Sequence, residues 1–301
     1  MILFYGEGRL GNQIFQYQAL CRIARPTERI LAVGLEDLKQ TMDLNGPSLT
    51  LLTRSAILKR FVKYVAIPLF FRPLACTFRL FNYASESTSG IPPRNGPSGE
   101  MSMRIGILRR ITFADGGYYQ NAALWTTLFP NTALRVTPTL SQAAKLYLKS
   151  ICSAQLRPTF VHVRRKDYLT YTSYGLVDLT LPADFYRNAI RELEARIGHF
   201  HLVFVTDDPN WVEETFRDIP CKTIASFSAS MDFAIMTECG SGILSNSTFS
   251  LAAAFLLKAP DLVIAPRYWF GFRIAEWFPP QIQAIHEKLL YLPVLADPRT
   301  A

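Results

Sequence analysis

The stretch HLVFVTDDPNWVEETFRDI, residues 201–219, decides the fold class. HLVFV is a short apolar run rich in β-branched and aromatic residues, which reads as a strand buried on both faces. TDDP stops it. Pro209 suits the first position of a helix, and a carboxylate just before it can cap the helix's free N–H groups. The pattern PNWVEETFRDI then turns helical at once. Strand, turn and helix in this order form the repeating unit of a parallel sheet, whose strands need a crossover to return.

The unit recurs on either side. Strand-like runs stand at TFVHV (159–163), KTIAS (222–226), GILS (242–245) and LVIA (262–265). Helical patterns fill the gaps as PADFYRNAIRELEARIG (182–198), SMDFAIMTEC (230–239) and STFSLAAAFLLK (247–258). At the other end of the chain, Ile2–Tyr5 reads as a strand and Asn12 to Arg25 as a helix. Ile14, Tyr17, Leu20 and Ile23 share one face of that helix, Pro26 stops it, and Arg29–Val33 reads as a second strand. The expectation is an α/β protein of two facing Rossmann-like domains with a cleft between them. Residues 1–150 would form the first domain and 151–301 the second, with the tail after about 267 packing back on the first.

Two stretches interrupt this regularity. RSAILKRFVKYVAIPLFFRPLACTFRLF (54–81) holds six basic residues and no acidic one, and Pro68 and Pro73 argue against one continuous helix. It reads as helices of the first domain with snorkelling cations, and in the alternative as a patch for a membrane surface. SESTSGIPPRNGPSGE (85–100) is dense in Ser, Gly and Pro and reads as a mobile surface loop.

Composition narrows the function classes. Apolar residues make up 49% and charged residues 19%, which is globular rather than disordered. The net charge of +8 suits an acidic partner such as a phosphorylated ligand or a membrane surface. No basic-aromatic nucleic-acid module is present. The five cysteines (Cys21, Cys76, Cys152, Cys221, Cys239) include no C-x-x-C pair and are not spaced with the four histidines as a zinc site, so free thiols are expected. No signal peptide is visible and no apolar run reaches the roughly 18–20 residues a bilayer requires. A cytoplasmic protein is expected, with peripheral contact at the inner face of the membrane through 54–81.

Ligands of doubly wound sheets sit beyond the carboxyl ends of the strands. VHVRRKDY leaves one such end with Arg164, Arg165, Lys166 and Asp167, and His162 lies inside the strand. Neighbouring side chains of a strand face opposite ways, so one arginine faces inward, and its fork matches phosphate oxygens. Asp167 is either its internal partner or a residue orienting it. Asp207 and Asp208 end the next strand, and divide between a helix cap and a carboxylate that reads a base such as guanine. Ser245, Asn246, Ser247 and Thr248 stand where a strand turns into a helix, whose N-terminus is an anion site. Together these describe a nucleotide-diphosphate site. GEGRLG (6–11) also spells G-x-G-x-x-G between a strand and a helix, and on that turn alone an NAD-linked oxidoreductase is the competing class. Glu36 and Asp37 lie past Gly34, a poor fit for its ribose-binding acid.

GRLGNQIFQY near the start, GYYQ (117–120), HVRRKDY (162–168), FVTDD (204–208), DFAIM (232–236) and SNSTFSLAAAFL (245–256) occur in the order found in α-1,2-fucosyltransferases of glycosyltransferase family 11, and the chain resembles the bacterial type. The wider set, including α-1,6- and protein O-fucosyltransferases, is similar in the H-x-R motif and, for the protein O-enzymes, in the G-R-x-G-N-Q turn. The resemblance implies a GT-B-like fold, GDP-β-L-fucose held mainly by the second domain, and inversion to an α linkage without a metal. The absence of a D-x-D motif agrees with the last point. It also implies a galactose-containing oligosaccharide acceptor, with a lipid-linked form compatible. By resemblance Arg164 and Arg165 contact the donor phosphates. His162 and Asp207 or Asp208 lie near guanosine, Ser247 and Thr248 near the β-phosphate, with Ser245, Asn246 and Phe249 also in the donor site, and Gly8, Arg9, Gly11 and Asn12 form the turn at the reacting centre. Arg164, Asn12 and Asp167 are the expected catalytic residues, and Glu7, Asp115 and Asp167 are the conceivable bases. Lys166 departs from the Gly common at its position, and LAAAFL lacks the usual tryptophans.

Overall fold

β1 (Ile2–Tyr5) alternates buried and half-buried residues, and α1 (Leu10–Ile23) follows it. They open the first of two compact units, Met1–Arg135 and Val136–Ala301, in a computed structural model that describes residues 1–25, 27–88, 97–121, 134–153, 155–173 and 175–295. The helix starts at Leu10 rather than Asn12, so Gly11 belongs to its first turn and not to the preceding loop. Pro26, read as its stop, lies outside the described residues.

The first unit is built on a six-stranded sheet. β2 (Arg29–Val33), β3 (Ser48–Leu51), β4 (Phe81–Thr88), β5 (Pro97–Arg104) and β6 (Leu108–Ala114) join β1 in the order β3-β2-β1-β6-β4-β5. All neighbours run parallel except the β4–β5 pair. This corrects the reading of 85–100 as loop: Ser85 to Thr88 and Pro97 to Glu100 are strand, and 89–96 lie outside the described residues. α2 (Glu36–Thr41) follows β2.

Residues 54–81 also depart from expectation. α3 (Ala56–Phe61) continues into wide π-helical turns over Val62–Phe71 and Pro73–Thr77, with Arg72 helical between them. The helical path therefore crosses both prolines. In a π turn the N–H reaches a carbonyl one residue farther back, which leaves room for the Pro68 ring. Ile67 and Ala75 seat this helix on Phe113 of β6, and Phe71 stacks on the same ring at 5.6 Å.

The second unit is the more regular one. α4 (Pro138–Ile151) leads to β7 (Arg157–Val163), α5 (Lys166–Thr170), α6 (Ala183–Ile197), β8 (Phe200–Thr206) and α7 (Pro209–Thr215). β9 (Lys222–Ala225), α8 (Ala229–Thr237), β10 (Ser241–Ile243), α9 (Thr248–Phe255), β11 (Val263–Pro266) and β12 (Leu289–Leu292) complete it. The strands order as β9-β8-β7-β10-β11-β12, all parallel. Counted along this unit the order is third, second, first, fourth, fifth, sixth, that of dinucleotide-binding sheets. Val161, Val163, Phe204 and Ile243 of the strands bury against Phe185, Tyr186, Ala189 and Leu193 of α6. Gly242 is needed in β10, where an added Cβ would sit 2.2 Å from the Phe160 ring.

Two boundary expectations change. The units divide after Arg135, not at 150, because α4 packs on α8 of the second unit. The tail stays with its own unit as well: Leu289–Leu292 adds a sixth strand parallel to β11. The five cysteines are free thiols. Among the described residues no helix is long and apolar enough to cross a membrane.

Candidate active site

In the second unit the strand order reverses direction between β7 and β10, and a crevice at such a switch point is where ligands bind. Arg164 and Arg165 leave the carboxyl end of β7. Residues 245–247 connect β10 to α9. The motifs HVRR and SNST therefore meet at this point, 83 residues apart in sequence where His162 and Ser245 touch.

Both arginines are fixed. Arg164 donates from Nη2 to Asp167 Oδ2 at 2.6 Å, and its Nη1 lies 3.1 Å from Asp207 Oδ2. The Arg165 backbone N–H donates to Asp207 Oδ1 at 2.9 Å, and its Nε donates to Asp208 Oδ2 at 3.3 Å. The Arg165 guanidinium lies 4.1 Å from the centre of the Trp211 ring, while Arg164 lies over Tyr168. Register explains the pairing: Val163 opposes Thr206 across the parallel strands, so the next residues, Arg164 and Asp207, leave the sheet side by side. Asp208 also caps α7, accepting from the Trp211 N–H. Asp207 and Asp208 thus hold arginines in this state. Lys166 is exposed.

His162 is buried, with Nδ1 2.7 Å from Ser245 Oγ. Burial, helped by the Arg164 charge, lowers its pKa to about 3, so the imidazole is neutral at physiological pH. Its ring stands 5.4 Å from that of Phe249. Asn246 donates from Nδ2 to the Leu179 carbonyl at 2.8 Å, and its own carbonyl accepts from the Tyr168 hydroxyl at 3.2 Å. Its buried Oδ1 has no hydrogen-bond partner. Ser247 caps α9 by accepting from the Phe249 N–H, and Thr248 opens the helix. The run Ser245–Thr248 is thus partly structural: it holds the histidine, anchors a neighbouring loop and caps a helix. Tyr168 links the halves, since it lies under Arg164 and donates to the Asn246 carbonyl.

The first unit has its own switch point, between β1 and β6. Here GEGRLG meets Asp115–Gln120. Gly8 has φ +80, and an added Cβ would come within 2.5 Å of Asn12 Nδ2, so this glycine is required. The Gln16 Nε2 donates to the carbonyls of Glu7 (3.0 Å) and Gly117 (2.8 Å), tying the turn to the segment after β6. Gln120 Nε2 donates to Asn12 Oδ1 at 3.1 Å. Glu86 accepts from the N–H groups of Tyr118 and Tyr119. Arg9 is exposed at the N-cap of α1, where its side chain makes no capping hydrogen bond; Gly11 is buried.

Each carboxylate considered as a base has a cation. Asp115 receives Arg72 Nε at 2.6 Å and Nη2 at 3.0 Å, and accepts from the Tyr83 hydroxyl. Glu7 pairs with Lys63 at 2.7 Å, and Asp167 with Arg164. The acids a bound NAD ribose would need are engaged too: Asp37 accepts from Gln13, and Glu36 pairs with Lys59. Sequence reasoning missed Gln16, Arg72, Tyr168 and Trp211. HVRRKDY already contained Tyr168 and GRLGNQIFQY already contained Gln16; the roles of Arg72 and Trp211 become visible only through tertiary contacts.

Comparison with known proteins bears on both units. The profile described as "Glycosyl transferase family 11" matches residues 108–273. The O-antigen biosynthesis glycosyltransferase WbnK of Escherichia coli is 34% identical over 131 residues, which are 42% of this chain and 43% of that protein, so the match spans less than half of that relative. Among solved structures, POFUT1 in complex with GDP aligns with a TM-score of 0.53 at 13% identity, covering 88% of this chain and 97% of that one. POFUT1 in complex with GDP-fucose gives 0.52 at 11% identity, with coverage of 88% and 97%. At these identities the likeness establishes the fold class, GT-B-like with Rossmann-type units.

Proposed function

Because the chain belongs to glycosyl transferase family 11, we propose that it moves L-fucose from GDP-β-L-fucose to the 2-hydroxyl of a galactoside, inverting the anomeric carbon to an α-1,2 linkage. One observation supports the assignment of the donor site: Arg164 lies over Tyr168, whose hydroxyl donates to the Asn246 carbonyl just before α9, and Arg165 leaves the same strand end at the switch point of the second unit. Guanidinium forks and the positive end of a helix dipole suit a diphosphate. The structures sharing the fold were solved with GDP and with GDP-fucose, in keeping with that donor.

The proposed reaction is a single in-line displacement. The acceptor hydroxyl oxygen forms the new bond to the fucose anomeric carbon, the bond to the β-phosphate oxygen breaks, GDP leaves with the electron pair, and the hydroxyl proton passes late to water held beside Asn12. Charge grows on the leaving oxygen, where Arg164 and the Ser247 end of α9 stabilise it more in the transition state than in the ground state. Arg165 and Ser245 to Phe249 hold the rest of the donor. Asp207, half-covered, keeps both arginines aimed, while the more exposed Asp167 gives up Arg164 when the phosphate arrives. His162 remains neutral and orients Ser245. Asn12, on the turn formed by Gly8, Arg9 and Gly11, meets the acceptor hydroxyl. No metal ion takes part.

WbnK's description points to O-antigen biosynthesis and so to a surface-glycan acceptor; the galactose in that acceptor is part of the proposal. A lipid-linked form of that acceptor would place the enzyme at the inner face of the membrane. The test is incubation with GDP-fucose and a galactoside or its 2-deoxy analogue, with and without chelator, followed by linkage analysis. Fucose on O2 of the galactoside alone, at a rate the chelator leaves unchanged, is expected. Transfer to O6, or to the 2-deoxy acceptor, overturns the linkage.

A further inference from the structure

The helical excursion over 56–77 is seated on the first unit's sheet by Ile67, Phe71 and Ala75, yet much of its apolar surface faces outward. Ile57 is 82% exposed, Tyr64 67% and Phe78 67%, with Phe61, Leu69 and Phe70 also open. A second stretch, far away in sequence, has the same character. In MRIGILRR (103–110), Ile105 is 64% and Ile107 74% exposed, and Arg104, Arg109 and Arg110 flank them. The fold joins the two stretches. The N–H groups of Ile107 and Leu108 donate to the carbonyls of Arg79 and Leu80, both at 2.8 Å, just beyond the end of the helical excursion. Gly106 lets the strands approach this closely, since a Cβ there would fall 2.2 Å from the Phe81 carbonyl oxygen.

The combined surface carries exposed Arg54, Arg60 and Arg79 from one stretch and three exposed arginines from the other, with no Asp or Glu in either 52–81 or 101–114; Lys59, Lys63 and Arg72 pair instead with Glu36, Glu7 and Asp115 of the same unit. Large open apolar side chains beside exposed cations are what an interfacial helix offers to a bilayer: rings and aliphatic chains enter the acyl boundary while guanidinium groups meet headgroup phosphates. A protein partner would need its own acidic groups at each cation, whereas an anionic leaflet supplies them over the whole area.

We infer that residues 52–79 and 103–110 together form a surface that docks on anionic phospholipid bilayers. The same helical excursion also contacts the first unit's switch point. Lys63 pairs with Glu7 in the GEGRLG turn, and Arg72 holds Asp115 at the end of β6. The lipid surface is therefore one helix away from the turn that carries Asn12. The inference stands on this geometry and does not depend on which sugar is transferred.

The experiment is co-sedimentation of the full chain with vesicles of phosphatidylcholine alone or with 30% phosphatidylglycerol, needing neither donor nor acceptor. Each cation near an anionic leaflet strengthens partition about fivefold, so binding at least tenfold tighter to the anionic vesicles, weakened by added salt, is expected. Ile57→Ser with Tyr64→Ser, and separately Ile105→Ser with Ile107→Ser, should each reduce partition at least fivefold. The unchanged melting temperature of both pairs, and their unchanged thermal shift with GDP, would report an intact fold. No partition to either vesicle, or partition that neither pair alters, overturns the inference. So does concentration-dependent dimerisation without lipid that the same substitutions abolish, which would assign the surface to a second copy of the chain.

Discussion

The two switch points of this protein share a topology and differ in lining. That of the second unit presents Arg164, over the tyrosine that bonds to the segment before α9, and Arg165 next to it, backed by a neutral buried histidine. That of the first presents the amides of Asn12 and Gln120 on a turn tied down by the buried Gln16, and the carboxylates Glu7 and Asp115, each already holding a cation. A cationic lining selects for phosphate, whereas an amide lining can match sugar hydroxyls, which both donate and accept. The glycine fingerprint GEGRLG thus supplies the backbone for a tight turn without the chemistry of a dinucleotide site. Both halves reverse their strand order beside their first strand; the side chains at the strand ends set what each would bind.

Substitutions at the two points should separate accordingly. Arg164→Ala is expected to have the largest effect, a loss of roughly 10²–10³ in kcat/KM with the fold intact. Arg164→Lys should recover little of it, because an ammonium cannot replace the fork. An active, folded Arg164→Ala protein would break the assignment. Asn12→Ala should cost roughly 10–10² in kcat, since it displaces the acceptor rather than the leaving group. A change in donor affinity there, with kcat preserved, would merge the two roles.

The histidine offers a pH test. The folded pKa of about 3 lies below the unfolded 6.5, so the unfolded state binds the extra proton between these values. The contribution of His162 is complete above pH 6.5 and is lost as pH falls, with a slope approaching about 1.4 kcal/mol per pH unit. Asp232, whose carboxyl burial raises to about 6, acts oppositely, favouring the fold more at low pH. The two therefore offset each other in wild type, and the comparison with His162→Gln isolates the histidine. The difference in urea midpoint between wild type and variant should shrink from pH 7 to pH 5; a constant difference would mean that the ring is not held neutral.

Smaller still is the contrast between helix ends. Ser247→Ala removes a cap from α9 and should cost about 1 kcal/mol of stability. Arg9→Ala at the N-cap of α1, where no side-chain cap exists, should stay within about 0.5 kcal/mol. Denaturant curves of the two variants decide this.

Much of this architecture could be read from the chain. The runs ILFY, TFVHV and HLVFV are short, β-branched and bounded by turn residues, so β1, β7 and β8 were legible, as was the α/β class. What escaped has physical reasons. SESTSGIPPRNGPSGE looks polar and mobile, but part of it pairs as a hairpin beside β6, where the ladder overrides composition. Pro68 signals a break only for α geometry, and the π turns remove that conflict. The residues of the second unit's site were identifiable one by one, yet the pairing of Arg164 with Asp207 depends on strand register, which no local pattern encodes.

The central claim is that the diphosphate belongs to the second unit's switch point and not to GEGRLG. Calorimetric titration of GDP into wild type, Arg164→Ala and Asn12→Ala tests it most directly. The account predicts equal affinity for wild type and Asn12→Ala, and at least a tenfold loss for Arg164→Ala. Retention of GDP by Arg164→Ala together with its loss in Asn12→Ala would contradict it.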